Sequence, residues 1–263
     1  MSDALTFDKD ARGLATVTLN RPTVHNAFDD VLIGDLTEVF TACQNDADVR
    51  VVVLTGTGKS FSAGADLGWM KRMAGYTYDE NLADAAGLAR VMRVLDRLPK
   101  PTIALVNGPA YGGGVGLVAC CDIAIASQRA SFCLSEVKLG LIPAVISPYV
   151  VAAIGSRQAR RYFQSAEVMS AQKALELGLV HEVIAHEELE VVKERIIEAL
   201  FSGAPGAQGE AKRLVFDVDA PLTDEIIAET GRRIAGQRAS HEGREGISAF
   251  LAKRKPDWQT RSE

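Results

Sequence analysis

With 263 residues, 47% of them hydrophobic and 24% charged, the chain is long enough to bury the core of one large domain, or of one domain with an appendage. A net charge of −5 and a pI near 5.5 exclude a long-range positive field for nucleic acid, and no apolar run is long enough to span a membrane. The four cysteines form no CxxC pair and the four histidines do not join them at zinc spacing, so neither a disulfide framework nor a metal site is expected. Met1 to Asp10 carries acids and lacks the basic start of a signal peptide, which gives a cytoplasmic expectation.

In chain order, strands and helices alternate. Leu14 to Leu19 reads as a strand after a turn at Asp10 to Gly13. Asp29 and Asp30 can cap a helix whose apolar residues, Leu32, Leu36, Val39, Phe40 and Cys43, fall on one face. Arg50 to Thr55 is a continuous β-branched run, the pattern of a strand buried on both faces, and a glycine-rich loop from Gly56 to Gly68 follows it. Leu88, Val91, Met92, Leu95 and Leu98 stripe the next helix, which ends before Pro101. Thr102 to Val106 is a strand, a helix starts from Gly112, and Ile123 to Ala126 is another strand. This βαβαβ order predicts an α/β fold with a mainly parallel sheet. After about Gly155 the segments 156–164, 170–177, 187–201, 205–215, 222–237 and 243–252 read helical, with one short strand near Leu179 to Ile184.

Three glycine-rich stretches invite a ligand reading. Gly58-Lys59-Ser60 lacks the earlier glycine of a P-loop, since Val53 stands in its place, so a surface turn is the better account. Gly112 to Gly116 lacks the last glycine of a dinucleotide fingerprint, where Leu117 stands. What remains is a pair of loops, Phe61 to Asp66 and Gly108 to Gly114, each following a strand and leaving the same end of the sheet. Their small residues either permit tight turns and close helix packing, or let a ligand approach two main-chain N–H groups converging on one oxygen. The loops alone leave both readings open.

The sequence resembles the crotonases, the enoyl-CoA hydratases and isomerases, in motifs that run in order over nearly its whole length. Asn20-Arg21-Pro22 with Asn26-Ala27, Phe61 to Leu67 (FSAGADL), Asn107 to Gly114 with Cys121-Asp122-Ile123, Ser135 to Pro143 (SEVKLGLIP) and Glu245 to Pro256 (EGISAFLAKRKP) carry the likeness. The resemblance implies a crotonase-like spiral of ββα units over residues 1–200 that holds a CoA-thioester site. It implies a C-terminal helical region over 201–263 that makes oligomer contacts, in a trimer or a hexamer built as a dimer of trimers. Ala65 and Gly113 match the residues whose amides form the oxyanion hole, and Glu136 matches one of two catalytic glutamates. Val24, Ala63, Asp66, Leu67, Tyr111, Gly112 and Gly116 fall at substrate-binding positions. Phe250 and Lys253 match residues that reach the coenzyme A of a neighbouring subunit. No cofactor is implied, because coenzyme A is part of the thioester substrate.

The sequence departs from the family pattern in one place that matters. Gly116 stands where the second glutamate belongs, twenty residues before Glu136. Gly68 replaces the lysine of the A-D-x-K motif, and Ala144 to Pro148 replaces a glycine-rich stretch. In wording the chain is most similar to bacterial methylglutaconyl-CoA hydratases. A substrate of that kind carries its own carboxylate, and Gly116 would remove a like charge and add room for it. Adding water to an enoyl thioester builds negative charge on the carbonyl oxygen, which two fixed N–H donors stabilise, while a carboxylate moves the protons. The apolar setting of Glu136, between Phe132 to Leu134 and Val137, predicts a raised pKa suited to that work. Tyr111 and Ser62 are candidate helpers. A single glutamate equally suits a double-bond isomerase, and a non-catalytic binding protein on the same fold is the third reading.

Overall fold

The computed structural model describes residues 2–221 and 223–260. The outer ends of the two predicted parts, Met1 and 261–263, and Leu222, the first residue of the 222–237 segment, lie outside them. Strand β1 (Leu5–Lys9) pairs antiparallel with β2 (Leu14–Leu19) through the predicted turn. β1 is a strand that hydrophobic pattern does not reveal: past Leu5 it is exposed. It is held by pairing with β2 and not by burial. Helix α1 (Asp30–Asn45), capped by the Asp29 side chain on the Leu32 amide, leads to β3 (Val51–Gly56).

Strands β2, β3, β4 (Thr102–Val106), β6 (Ile123–Ser127) and β9 (Glu182–Ile184) follow one another in parallel, giving a six-stranded sheet with β1 at its edge. Side chains alternate across this sheet as strand geometry requires. Val52, Leu54, Ala104 and Val106 join the larger core beneath α1, α3 (Tyr78–Asp96), α4 (Gly113–Cys120) and α5 (Ser147–Ser165). Val51, Val53, Ile103 and Leu105 face the smaller core closed by Leu189 and Ile197 of α7 (Leu189–Phe201). The β-branched run of β3 is thus buried on both faces, as its composition predicts.

A second, three-stranded sheet of β5 (Ala110–Tyr111), β7 (Ser131–Cys133) and β8 (Met169–Ser170) stands beside the first. Its strands are only two or three residues long, too short to show periodicity. Helix α2 (Leu67–Met73) begins where the sequence reads as loop, because Asp66 caps it through the amides of Gly68 and Trp69. Helix α5 starts at Ser147 and not at 156; Gly155, at φ 75°, kinks it, which is why its first half does not read as helix.

After α6 (Ala171–Leu177), β9 and α7, the chain ends in α8 (Pro205–Val218), α9 (Asp224–Ala239) and α10 (His241–Leu251). Helix α8 is fastened to the core by Lys212, whose Nζ lies 2.9 Å from Asp122 Oδ2. Helices α9 and α10 leave Ile227, Ile234, Ile247, Phe250 and Leu251 exposed. Among the described residues, no helix is long and apolar enough to cross a membrane.

Candidate active site

Three segments are stitched side by side at the C-terminal end of the parallel sheet. The loop after β3 and the loop after β4 are joined by the amides of Phe61 and Ser62, which both donate to Pro109 O (3.0 and 3.1 Å), and by the Tyr111 amide on Ser62 O (2.9 Å). The segment 25–28 lies along the first loop: the Ala63 amide donates to His25 O, that of Phe28 to Gly64 O, and that of Asp66 to Phe28 O. Among the amides that these bonds leave over are those of Ala65 and Gly113. Ala65 N–H and Gly113 N–H have no protein acceptor among the described residues, the second because it is the first residue of α4 and has no preceding turn to donate to. Gly113 also adds the positive end of the helix dipole.

Glycine is required in this layer for close approach. A Cβ on Gly113 would come 2.4 Å from the Phe28 ring, and one on Gly64 2.8 Å from Tyr111 O. Gly112 has φ 50°, a backbone that side-chain-bearing residues rarely adopt, and the place of its missing Cβ is 3.3 Å from Glu136 Oε1. The carboxylate of Glu136 therefore stands directly over the turn that presents the Gly113 amide.

Glu136 opens a one-turn 3₁₀ segment after β7, and its Oε2 is buried without any hydrogen-bond partner. Burial pushes its pKa up from the ordinary carboxylate value, against a small opposing effect of its own backbone amide. A half-buried, unpaired carboxylate next to two free amides is the constellation expected of an acid–base group beside an oxyanion site. Among the described residues no three His, Cys, Asp or Glu side chains are grouped to hold a metal ion.

Several predicted site residues also have partners within the protein. Asp66 caps α2 through Oδ1 and meets Arg21 Nη2 at 3.0 Å through Oδ2. Burial alone would raise its pKa, but the amides of Trp69 and Gly68 and the Arg21 guanidinium outweigh it and hold the carboxyl below its usual value. The Ser62 hydroxyl donates to Asn26 O and accepts from the Gly64 amide. Tyr111 places its hydroxyl 3.3 Å from Ser131 Oγ. Val24, Ala63 and Leu67 lie exposed at the rim, with Leu67 82% accessible. Phe250 and Lys253 are exposed at the end of α10, and no hydrogen bond or ion pair among the described residues ties them to the two loops.

The room expected at Gly116 is absent. A Cβ there would lie 2.2 Å from Ile146 Cγ2, 2.9 Å from Ile146 Cβ and 3.1 Å from Met92 Cε. Both side chains are fully buried. Any side chain at 116 would therefore begin inside hydrocarbon, and a glutamate there would require Ile146 to shift.

Residues outside the predicted set hold the site together. Arg21 bridges Asp66, Asp29 (3.2 Å) and Ala27 O (2.7 Å). Asn26, fully buried with φ 56°, accepts from the Arg21 amide and donates to Thr57 O and Ser60 O. The motif that contains these two residues was legible; their scaffolding task was not.

Comparison with known proteins agrees with this geometry. The sequence model of the family described as enoyl-CoA hydratase/isomerase matches residues 9–261. The chain is 38% identical to the enoyl-CoA hydratase AKT6-1 of Alternaria alternata over 77% of its length, and spans 66% of that relative. It is 35% identical to the short-chain-enoyl-CoA hydratase of Clostridium acetobutylicum, over 92% of each chain. The crystal structure of an enoyl-CoA hydratase from Shewanella pealeana superposes with a TM-score of 0.94 at 47% identity, covering 97% of this chain and 96% of that one.

Proposed function

The chain belongs to the enoyl-CoA hydratase/isomerase family, and on that premise we propose that it adds water to, or removes it from, a C3-branched enoyl-CoA of the methylglutaconyl type. The observation that carries this reading is the unpartnered Glu136 oxygen beside the free amides of Ala65 and Gly113. The thioester carbonyl oxygen accepts from both amides. As the water oxygen bonds to Cβ, the electron pair of the double bond moves through Cα onto the carbonyl oxygen, and the amides hold the resulting enolate. Glu136 takes the proton from the water and delivers a proton to Cα, so one carboxylate serves both transfers. Its raised pKa makes the carboxylate a stronger base for the proton it takes from the water. The hydrocarbon of Ile146 and Met92 over Gly116 is buried in the free protein, so a methyl branch would rest at its edge. The free carboxylate of such a substrate points away from it, toward the exposed rim, because an unpaired charge against hydrocarbon is costly. No cofactor enters this scheme.

One observation favours a second reading. With glycine at 116 and Ile146 packed against it, a single base moving one proton between Cα and Cγ also fits, which makes a double-bond isomerase the alternative. Incubation with methylglutaconyl-CoA, crotonyl-CoA and a 3-enoyl-CoA separates the two: turnover of the 3-enoyl thioester without hydration of either 2-enoyl thioester would replace the first reading by the second. The same proposal assigns the exposed apolar face of α9 and α10, with Phe250 and Lys253, to contact with another subunit and its coenzyme A. A monomer by light scattering at micromolar concentration would refute that assignment.

A further inference from the structure

We infer that Ile146, backed by Met92, is the specificity-determining wall of the acyl site: it confines the enzyme to short, compact acyl groups by separating the catalytic carboxylate from a large cleft behind it. The inference rests on the acyl-CoA reading above. Three positions along α4 carry it. At its start, Glu136 stands over Gly112. One turn on, Gly116 lies beneath Ile146 and Met92, so closely that no side chain fits between. A further turn on, on the same face as Gly116, Cys120 touches Met92, with its Sγ 3.8 Å from Met92 Sδ. Cys120 in turn lines a cleft of about 850 Å³ between the core and α8, together with Tyr149, Pro148, Val118, Lys212 and Phe216.

An acyl chain held by its carbonyl at the Gly113 amide and extending along α4 meets Ile146 within one helical turn, about 5 Å. Beyond that side chain and Met92 lies open volume of the size that takes a small ligand. Ile146 is the N-cap residue of α5 and is itself buried, although Ala144 and Pro148 on either side of it are exposed, so its position is set by its own packing at the helix start. Gly116 and Ile146 act as a pair: the glycine gives up its side-chain volume and the isoleucine takes it.

The test is binding of saturated acyl-CoA thioesters, acetyl through decanoyl, which occupy the site without reacting. Titration calorimetry compares wild type with Ile146→Ala, Ile146→Val and Met92→Ala. Wild type should bind tightest at a short chain and weaken from there to octanoyl. Ile146→Ala should shift the optimum to longer chains, gaining about fourfold in affinity for each CH₂ newly buried. Ile146→Val, which removes a single methyl and keeps the packing, should shift it part of the way, so the inference stays exposed even if the alanine variant folds poorly. A length profile identical in wild type and the folded variants would overturn the wall while leaving the family reading intact. A wild type that already prefers octanoyl over butyryl would overturn it as well. Failure of wild type to bind any acyl-CoA would overturn the acyl-CoA reading, and the wall with it.

Discussion

The layer that presents the two amides and the turn that presents Glu136 meet at Gly112, yet they are held in opposite ways. In the layer, Asn26, Ser62, Asp66 and Arg21 give their polar side-chain atoms to the protein, and main-chain bonds join 25–28 to 61–66 and 61–66 to 109–111. In the turn, a buried carboxylate oxygen has no partner and an aliphatic pair fills the ground one helical turn behind it. The difference teaches where each kind of tolerance lies. A site that stabilises charge with backbone dipoles needs them fixed before the substrate arrives, whereas a group that gains and loses a proton must not be committed to a permanent partner.

Breaking the less committed side should have the largest effect. Glu136→Gln keeps shape and removes the base, so kcat should fall by about 10²–10⁴-fold while acyl-CoA binding persists. The same variant tests the burial argument. Burial raises the Glu136 pKa, so its contribution to stability is most favourable below the unfolded-state value and is lost as the pH rises through the folded one. Thermal melts should find Glu136→Gln more stable than wild type at neutral pH, with the gap closing toward pH 4.5. A wild-type rate in this variant would remove the proposed mechanism.

Disturbing the fixed side comes next. Gly113→Ala drives a methyl into the Phe28 ring and turns the helix start, displacing one oxyanion donor. The loss in kcat should be about 10²–10³-fold, read in steady-state kinetics on whichever thioester wild type turns over. An unimpaired Gly113→Ala enzyme would mean that the amide is not a donor to the reacting carbonyl.

Gly116→Ala probes the aliphatic ground behind Glu136. Overpacking against Ile146 should cost about 1–3 kcal/mol in denaturant unfolding. Adding Ile146→Ala should recover much of that cost, since the two positions share one volume. Independent, additive effects would show that Ile146 does not occupy the space above Gly116. The smallest effect is expected at Asp66→Ala, about 1 kcal/mol of stability through the lost α2 cap, with acyl-CoA affinity little changed. A large loss of affinity would return Asp66 to the substrate.

The sequence by itself determined the family, the parallel sheet, the two loops and the single glutamate. These depend on residue type at fixed short spacing: β-branched runs for β3, glycines where backbone must approach backbone, and an acid at 136 in an apolar stretch. It also revealed that Gly116 replaces a carboxylate and that Ile146 stands in an altered stretch thirty residues on. Only the tertiary structure decided what those two changes mean together. Contacts between α4, α3 and the start of α5 join positions 116, 92 and 146, which no periodicity links. Space left by a missing side chain is filled by whatever the fold brings nearest, and here that is the isoleucine. For the same reason the motif does not show that Asp66 caps a helix: its partners, Arg21 and the α2 amides, are chosen by the packed chain and not by the spacing of the letters.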